Sequence, residues 1–581
     1  MLLNLINDAW IPVRRRNGES AIIRPAQIVE KLGTDHEIIA PDWPRPDLNV
    51  ATLEFLIGLL SVTMPPDSPE EWSKTWHEPP DEHALSTSFA PWKAAFNLNG
   101  NGPRFMQDFN ELDDDVGPIE SLLIDSSGEN AAKKNADLMV RRKRYECLSL
   151  PAAAISLYAL QQFAPSGGAG HRTSMRGGGP MTTLAIPPSH SDTSPSLWQI
   201  IWANVRPAQE RPDAAADMAR IFPWMAPSMT SEKGAELHEA GLHQGDPRVH
   251  VLQCFFGMPR RIRLVFEQVD EESICDLTGA RGTIMATGII TRPYGINYGH
   301  WKHPLSPYSR KKEDEEWLPM HPVAGRKGYR NWLGVVIGDE GHALQEPASA
   351  VIGFREHVHG DFSLGRMGGA RILMAGWAMS NMSPLDFLLA EQPFHIATDR
   401  EQQKQLDSLA RRMVKAAEQA MTLLRGAAGS ALKAGKDKPK PDSSRISALS
   451  ESFFARTEDM FHDILDQASD LAVMAADKDG RSRSGSGSET GEEAAGEVGE
   501  KWRVPAREWL AELQHTVIAL FDENFRPDPA DPEKARKIVE ARRELLNNLR
   551  AARGARSLYT ILGLPPEKAR ARIARRKRKA S

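Results

Sequence analysis

Cysteine is scarce in this sequence: three residues in 581, at Cys147, Cys254 and Cys275. Spaced so widely, they exclude a disulfide framework and a four-thiolate zinc site, and the usage fits a reducing cytoplasm. No uninterrupted apolar run reaches membrane-spanning length. The apolar stretch from Leu2 to Ile6 is broken by Asn4 and followed by Asn7 and Asp8 rather than a cleavage region, so no signal peptide is expected. Nor is there an excess of one charge, since 72 Lys+Arg against 77 Asp+Glu leave a net −5. A polyanionic partner would have to be met by local basic patches, set against acidic ones such as Asp113-Asp-Asp115. Reactive signatures are equally sparse. The Gly-Lys-Ser/Thr ending of a phosphate cradle does not occur in the glycine-rich stretch, and no Gly-x-Ser-x-Gly elbow is found outside the low-complexity run at Gly485-Ser-Gly-Ser488. Neither catalytic residues nor a cofactor are expected, and the chain reads as a non-enzyme.

A chain of 581 residues is too long for one core. Up to residue 385, Pro and Gly recur, and short apolar runs such as Ile262–Phe266 and Trp332–Ile337 read as strands; the Ala- and Leu-dense stretch Pro151–Phe163 reads as a helix. Beyond Pro384 the period becomes helical. Leu406, Leu409, Met413, Ala417, Ala420 and Leu424 recur every three or four residues. Further stripes follow, led by Phe454 and Phe461, by Trp509 and Leu513, and by Ile538 and Leu545. The fold class expected is α+β: an irregular mixed α/β domain over 1–385, then a C-terminal four-helix bundle over 386–581. Within the bundle, the Gly-, Ser- and Glu-rich stretch about 478–500 is too polar to order itself. The last residues, with Arg572, Arg575, Arg576, Lys577, Arg578 and Lys579, form a cationic tail.

Two segments have the composition of a polyanion contact. Pro165–Pro180 holds six glycines around His171, Arg172 and Arg176. Residues without a Cβ let the backbone adopt φ > 0 and approach a partner closely. The proline brackets, with a strand reading for Met181–Ile186 after them, do not fit a dinucleotide fingerprint. The tract Lys133–Arg144 places Leu138-Met-Val140 between two cationic clusters, a pattern in which an apolar centre docks while Lys and Arg reach phosphates. A third segment, His357-Val-His359-Gly-Asp361, looks like part of a metallohydrolase ligand set. On a strand the two histidines would share a face, and neutral imidazoles bind zinc. No second His/Asp pair follows at comparable spacing, so these read as polar loop residues. A metal-dependent nuclease or hydrolase using His357, His359 and Asp361 is the alternative function.

Taken together the segments resemble the large subunit of type I-E CRISPR Cascade, the CasA family. The resemblance is carried in order by Leu3–Val13 as an opening strand, Phe105-Met-Gln107, Asn135-Ala-Asp-Leu-Met139, Ala164-Pro165 with the glycine stretch, Met175-Arg-Gly-Gly178, Pro180-Met-Thr-Thr183, Trp301–Pro307 and Ala375–Met382. It spans nearly the whole chain. It implies a non-catalytic subunit of an RNA-guided antiviral surveillance complex, which reads the protospacer-adjacent motif in duplex DNA, helps open the strands and recruits a helicase–nuclease. Carried over by position, Gly167, Gly168, Ala169 and Gly170 would lie in the minor groove of the motif, where the donor pattern is degenerate and shape is read. Ser166 and Ala169 stand where relatives can have glycine. Arg292 would be the accompanying cation, and Ser380 and Asn381 the wedge at the first base pair. The guide-RNA 5′ handle would be met by 130–145, through Lys133, Lys134, Asn135, Leu138, Met139, Arg141, Arg142 and Arg144. Other Cascade backbone and small subunits and the displaced strand are the remaining implied partners. Some relatives carry a cysteine cluster near position 275; Cys275 stands alone here, so no zinc is implied.

Overall fold

A computed structural model describes residues 3–565 apart from 127, 129–132, 134–139, 169, 189–193, 209, 236–240, 300, 326–327, 339–343, 362–363, 365–368, 381, 398–399, 433–442, 483–501 and 552–553. The chain divides into two units, one of Met1–Ala324, Gly334–Asp361 and Gly369–Gln392, the other of Gly325–Leu333, Phe362–Gly368 and Pro393–Ser581. The sequence boundary at 385 falls inside the strand Ser383–Pro393, so that strand's hydrogen bonding carries the first unit to Gln392.

In the first unit, β1 (Ile11–Arg15), β2 (Ser20–Ile23) and β3 (Ile38–Pro41) make a small antiparallel sheet in the order β2-β1-β3. The expected opening strand over Leu3–Val13 begins only at Ile11, because Asn4 Oδ1 folds the preceding residues into a turn by accepting from the Ile6 and Asn7 N–H groups. Helix α1 (Pro46–Thr63) starts with proline at N1 and is buried almost all round. It is long and apolar enough to cross a membrane, yet its apolar surface is spent on the core of this unit. At its centre, Phe55 meets the edges of Trp10, Phe96, Phe105, Tyr158 and Phe256 at 5.4–6.4 Å between ring centroids. Helix α2 (Pro69–His77) carries the stacked pair Trp72 and Trp76. Tyr158 comes from α3 (Leu150–Phe163), capped by Ser149 through the Ala152 N–H and ending where Pro165 forbids further helical bonding.

Two sheets frame the glycine stretch. Strand β4 (Thr182–Ile186) precedes the long hairpin of β5 (Arg261–Ile274) and β6 (Arg281–Arg292), in register from Arg261↔Arg292 to Ile274↔Arg281 with two bulges. Helix α4 (Ser349–Gly360) leads to β7 (Arg371–Ser380) and β8 (Ser383–Pro393), and these pair in the order β8-β7-β4. Arg371↔Ile186 through Ala375↔Thr182 set the antiparallel register.

The second unit is helical: α5 (Arg400–Leu432), α6 (Ser443–Ser482), α7 (Arg503–Asn524) and α8 (Pro532–Leu549). All six residues of the α5 stripe are buried, and Trp509 Nε1 donates to the Met413 carbonyl at 2.9 Å. The α6 backbone continues to Ser482, into the stretch expected to be unstructured; 483–501 lie outside the described residues, as does the cationic tail. Trp332–Ile337, expected as a strand, is instead helical, with a single π-turn over Leu333–Ile337. A short apolar run does not distinguish the two by periodicity. Tyr329, just before it, stacks on Phe461 at 4.4 Å and shares a 2.8 Å hydrogen bond with Thr457.

Candidate nucleic-acid interface

The end of α3 and the start of β4 are joined by a glycine stretch that forms two structures of opposite character. Its first half is a tight hairpin: the His171 N–H donates to the Gly168 carbonyl at 2.8 Å and the Gly167 N–H to the His171 carbonyl at 3.1 Å. Gly168 stands at the turn with φ +73°, is exposed, and has open space where a Cβ would project. Gly170 (φ +87°) is covered instead, its carbonyl accepting from the Tyr294 N–H at 2.8 Å. Ala169 lies outside the described residues. Beneath the hairpin the Arg260 guanidinium donates to the Pro165 carbonyl, and burial lowers its pKa to about 10. Burial, then the Arg260 charge, also lowers the pKa of His171, so the histidine is not an added cation at neutral pH.

The second half is packed rather than presented. A Cβ on Gly179 would sit 2.2 Å from the Trp377 carbonyl oxygen and 2.9 Å from Met379, so β7 and the stretch approach backbone to backbone. Arg176 departs from the cationic reading of this stretch. It is 1% exposed and lies against the fully buried Glu54 of α1, donating to Oε2 at 2.8 Å and Oε1 at 3.1 Å. A guanidinium so enclosed is a fold clamp, not a polyanion contact.

Arg292 and Ser380 are delivered to the two flanks. Arg292 is exposed at the end of β6, two residues before Tyr294, and so reaches the hairpin's side through the Gly170–Tyr294 bond. Ser380 is exposed at the end of β7, next to the Met379 against which Gly179 packs. Asn381 lies outside the described residues. Tyr294 itself was not singled out from the sequence. It is 39% exposed, has φ +63°, and has Arg172 over its ring at 6.0 Å. The signal was available in Pro293-Tyr-Gly295, a turn placed directly after a strand.

The basic tract is only partly described: Lys134, Asn135, Leu138 and Met139 lie outside the described residues. Lys133 is exposed, as are Arg141, Arg142, Lys143 and Arg144 in a row. Glu120 fixes the backbone of that row by accepting from the Arg144 N–H at 3.1 Å, and the Arg144 side chain rests over Tyr145 at 5.1 Å. Asp276 holds the next turn, accepting from the Glu146 and Cys147 N–H groups at 2.7 and 2.9 Å. Cations on an anchored backbone can face phosphates without ordering the chain first.

The His357/His359/Asp361 set is not arranged as ligands. His357 and His359 are on α4 rather than a strand, so their i, i+2 spacing does not put them on one face. The His357 ring is stacked on Trp72 at 3.9 Å, and burial lowers its pKa to about 4. Asp361 accepts from Ser73 and lies 2.8 Å from His77 Nε2. No group of three metal-ligating side chains occurs among the described residues.

The fold defines a class: an α+β chain in which a many-sheeted unit carrying a glycine hairpin and a basic tract is joined to a helical bundle. Its relatives give the family. The family model for CRISPR-associated protein Cse1 matches residues 4–483, and the chain belongs to that family, the large subunit of type I-E Cascade. The structure is similar to Thermus thermophilus CasA (Cse1), at 15% identity and TM-score 0.62, over 94% of this chain and 100% of that one. It is similar to Thermobifida fusca Cse1 at 16% identity and TM-score 0.62, over 97% and 98%. A chain of a CRISPR RNA-guided surveillance complex matches at 15% identity and TM-score 0.60, over 94% and 99%.

Proposed function

We propose that this large subunit is the motif reader of its surveillance complex and carries no catalytic activity of its own. The glycine hairpin enters the minor groove beside the target, Arg292 meets the adjoining phosphates, and Ser380 with Asn381 intrudes on the first base pair. The tract from Lys133 to Arg144 holds the 5′ handle of the guide RNA. The second unit holds the displaced strand, and the subunit recruits the helicase–nuclease in the cytoplasm. The other partners are the backbone and small subunits of the complex.

One observation carries this reading. Gly168 combines exposure, a positive φ and open space at the place of its missing Cβ, so only backbone faces outward there. A protein that reads a degenerate groove by shape needs such an edge, with a cation close by and base pairing left to the guide. The test is the chain assembled with guide RNA and its neighbouring subunits, bound to duplexes randomised beside the target. Selection of a short motif set, lost in Arg292→Ala together with Gly168→Asn, supports the reading. Uniform binding across the library contradicts it.

A further inference from the structure

Several arginines recessed into the first unit are matched by carboxylates. Arg176 lies against Glu54, Arg261 Nε is 2.6 Å from Asp108 Oδ2, and Arg263 Nη2 is 2.5 Å from Glu111 Oε1. Arg260, half-buried immediately before β5, has no ion pair among the described residues. Its Nη2 donates to the Pro165 carbonyl, a neutral acceptor, and its Nε is buried without a partner. Nη1 makes no hydrogen bond among the described residues either, yet it keeps contact with solvent. That nitrogen lies 3.6 Å from the place where a Cβ on Gly167 would project, and Gly167 is exposed on one leg of the hairpin. Burial alone acts on the Arg260 pKa, and at about 10 the side chain is still a cation at neutral pH.

A half-buried charge without a counter-charge is unfavourable, because burial removes water and nothing replaces it. Here it is kept at the foot of the hairpin whose turn faces outward. Two more arginines flank the same place: Arg172 lies over Tyr294, and Arg292 faces Arg261 in the β5–β6 register. Neither has an ion pair among the described residues. Glu232, beside the Ser231 to which Arg172 Nε donates, lies 4.0 Å from Arg261 instead. Positive charge is therefore in excess around the hairpin's base, and reach decides which anion Arg260 can meet. With Nη2 tied to Pro165 and Nε enclosed, one nitrogen is left, set back behind Gly167. Reading a guanine takes two donors of one guanidinium extended to the base edge. A single recessed donor suits a phosphate oxygen, on the groove wall that the hairpin's leg passes.

We propose that Arg260 is a phosphate contact for the target duplex, taking a backbone oxygen on Nη1 at the foot of the hairpin while Gly168 enters the groove. The proposal rests on the motif-reading role of the hairpin. It adds a contact that fixes the duplex against the hairpin without reading its sequence.

The experiment titrates the assembled complex with target duplexes, with and without the preferred motif, over a range of salt. Arg260→Met removes the charge and keeps the bulk, whereas Arg260→Lys keeps the charge without the fork. Arg260→Met is expected to weaken binding of both duplexes about tenfold, the worth of one charge-assisted contact. It should lower the slope of log K against log salt by about 0.9 and leave the motif preference as it was. Arg260→Lys should keep the slope. In the isolated full-length chain, Arg260→Met should unfold at the wild-type temperature or above it, since no counter-charge is left unmatched. A lower unfolding temperature with an unaltered slope marks a purely structural arginine and overturns the proposal. Loss of motif preference without a change of slope marks a base reader and overturns it as well. An unaltered slope with motif preference intact overturns this proposal alone, whereas a wild-type complex without motif preference overturns the hairpin's role together with it.

Discussion

Arg176 and Glu54 form a fully buried, two-pronged ion pair, and the Arg176 Nη1 group also donates to Ser306 Oγ at 3.0 Å and Thr182 Oγ1 at 3.3 Å. The pair ties the glycine stretch to the centre of α1. Cutting one partner leaves the other charge buried and unmet, which costs about 3–5 kcal/mol. Arg176→Met and Glu54→Gln are therefore expected each to lower the stability of the first unit by that order in chemical denaturation. The double variant should be less destabilised than the sum of the two. Arg176→Met with full stability but weakened nucleic-acid binding would return this arginine to the interface.

The basic tract predicts a salt effect. Each phosphate contact with a single strand contributes about 0.7 to the slope of log K against log salt. Replacing Arg141, Arg142 and Arg144 by alanine is expected to lower that slope by up to about 2 for association with guide RNA. Glu120 and Asp276 anchor the backbone, so the fold should be kept. An unaltered slope would remove these arginines from the RNA contact.

Acid should loosen the second unit. His395 Nε2 lies 3.0 Å from His462 Nδ1, and His395 Nδ1 lies 2.9 Å from Asp466 Oδ1. With His462 Nδ1–H donating to His395 Nε2 and His395 Nδ1–H donating to the Asp466 carboxylate, all three groups are satisfied. Burial, then the His395 charge, lowers the His462 pKa to about 3. The unfolded chain, with its histidine near 6.5, binds more protons between those values, so stability rises with pH over that window and levels off above it. At pH 5 the loss from this histidine is about 1–2 kcal/mol relative to pH 7.5. Thermal unfolding of His462→Gln should show a flatter acid limb, and an identical limb would place the sensitivity elsewhere.

Much of this architecture was legible in the sequence because it depends on periodicity. The α5 stripe from Leu406 to Leu424 is buried as its spacing requires, and Pro151–Phe163 is a helix. What sequence could not supply was which charges are consumed inside. Arg176 and Arg172 are neighbours in a cationic stretch, yet one is spent on Glu54, 122 positions away, and the other lies over Tyr294. Long-range partners of this kind leave no local pattern. Trp332–Ile337 is helical although its short apolar run also reads as a strand, because periodicity over so few residues does not separate the two.

The glycine stretch gives the sharpest contrast between positions of one residue type. Gly179→Ala should disrupt folding, because its Cβ meets the fixed carbonyl of Trp377 at 2.2 Å. Gly168→Asn should not, because asparagine tolerates positive φ at a cost of about 1 kcal/mol and the space beyond it is open. The decisive measurement is the affinity of the assembled complex carrying Gly168→Asn for target duplexes with and without the preferred motif. Normal assembly with at least a tenfold loss of motif preference is the predicted result. Normal assembly with motif discrimination unchanged would contradict the account.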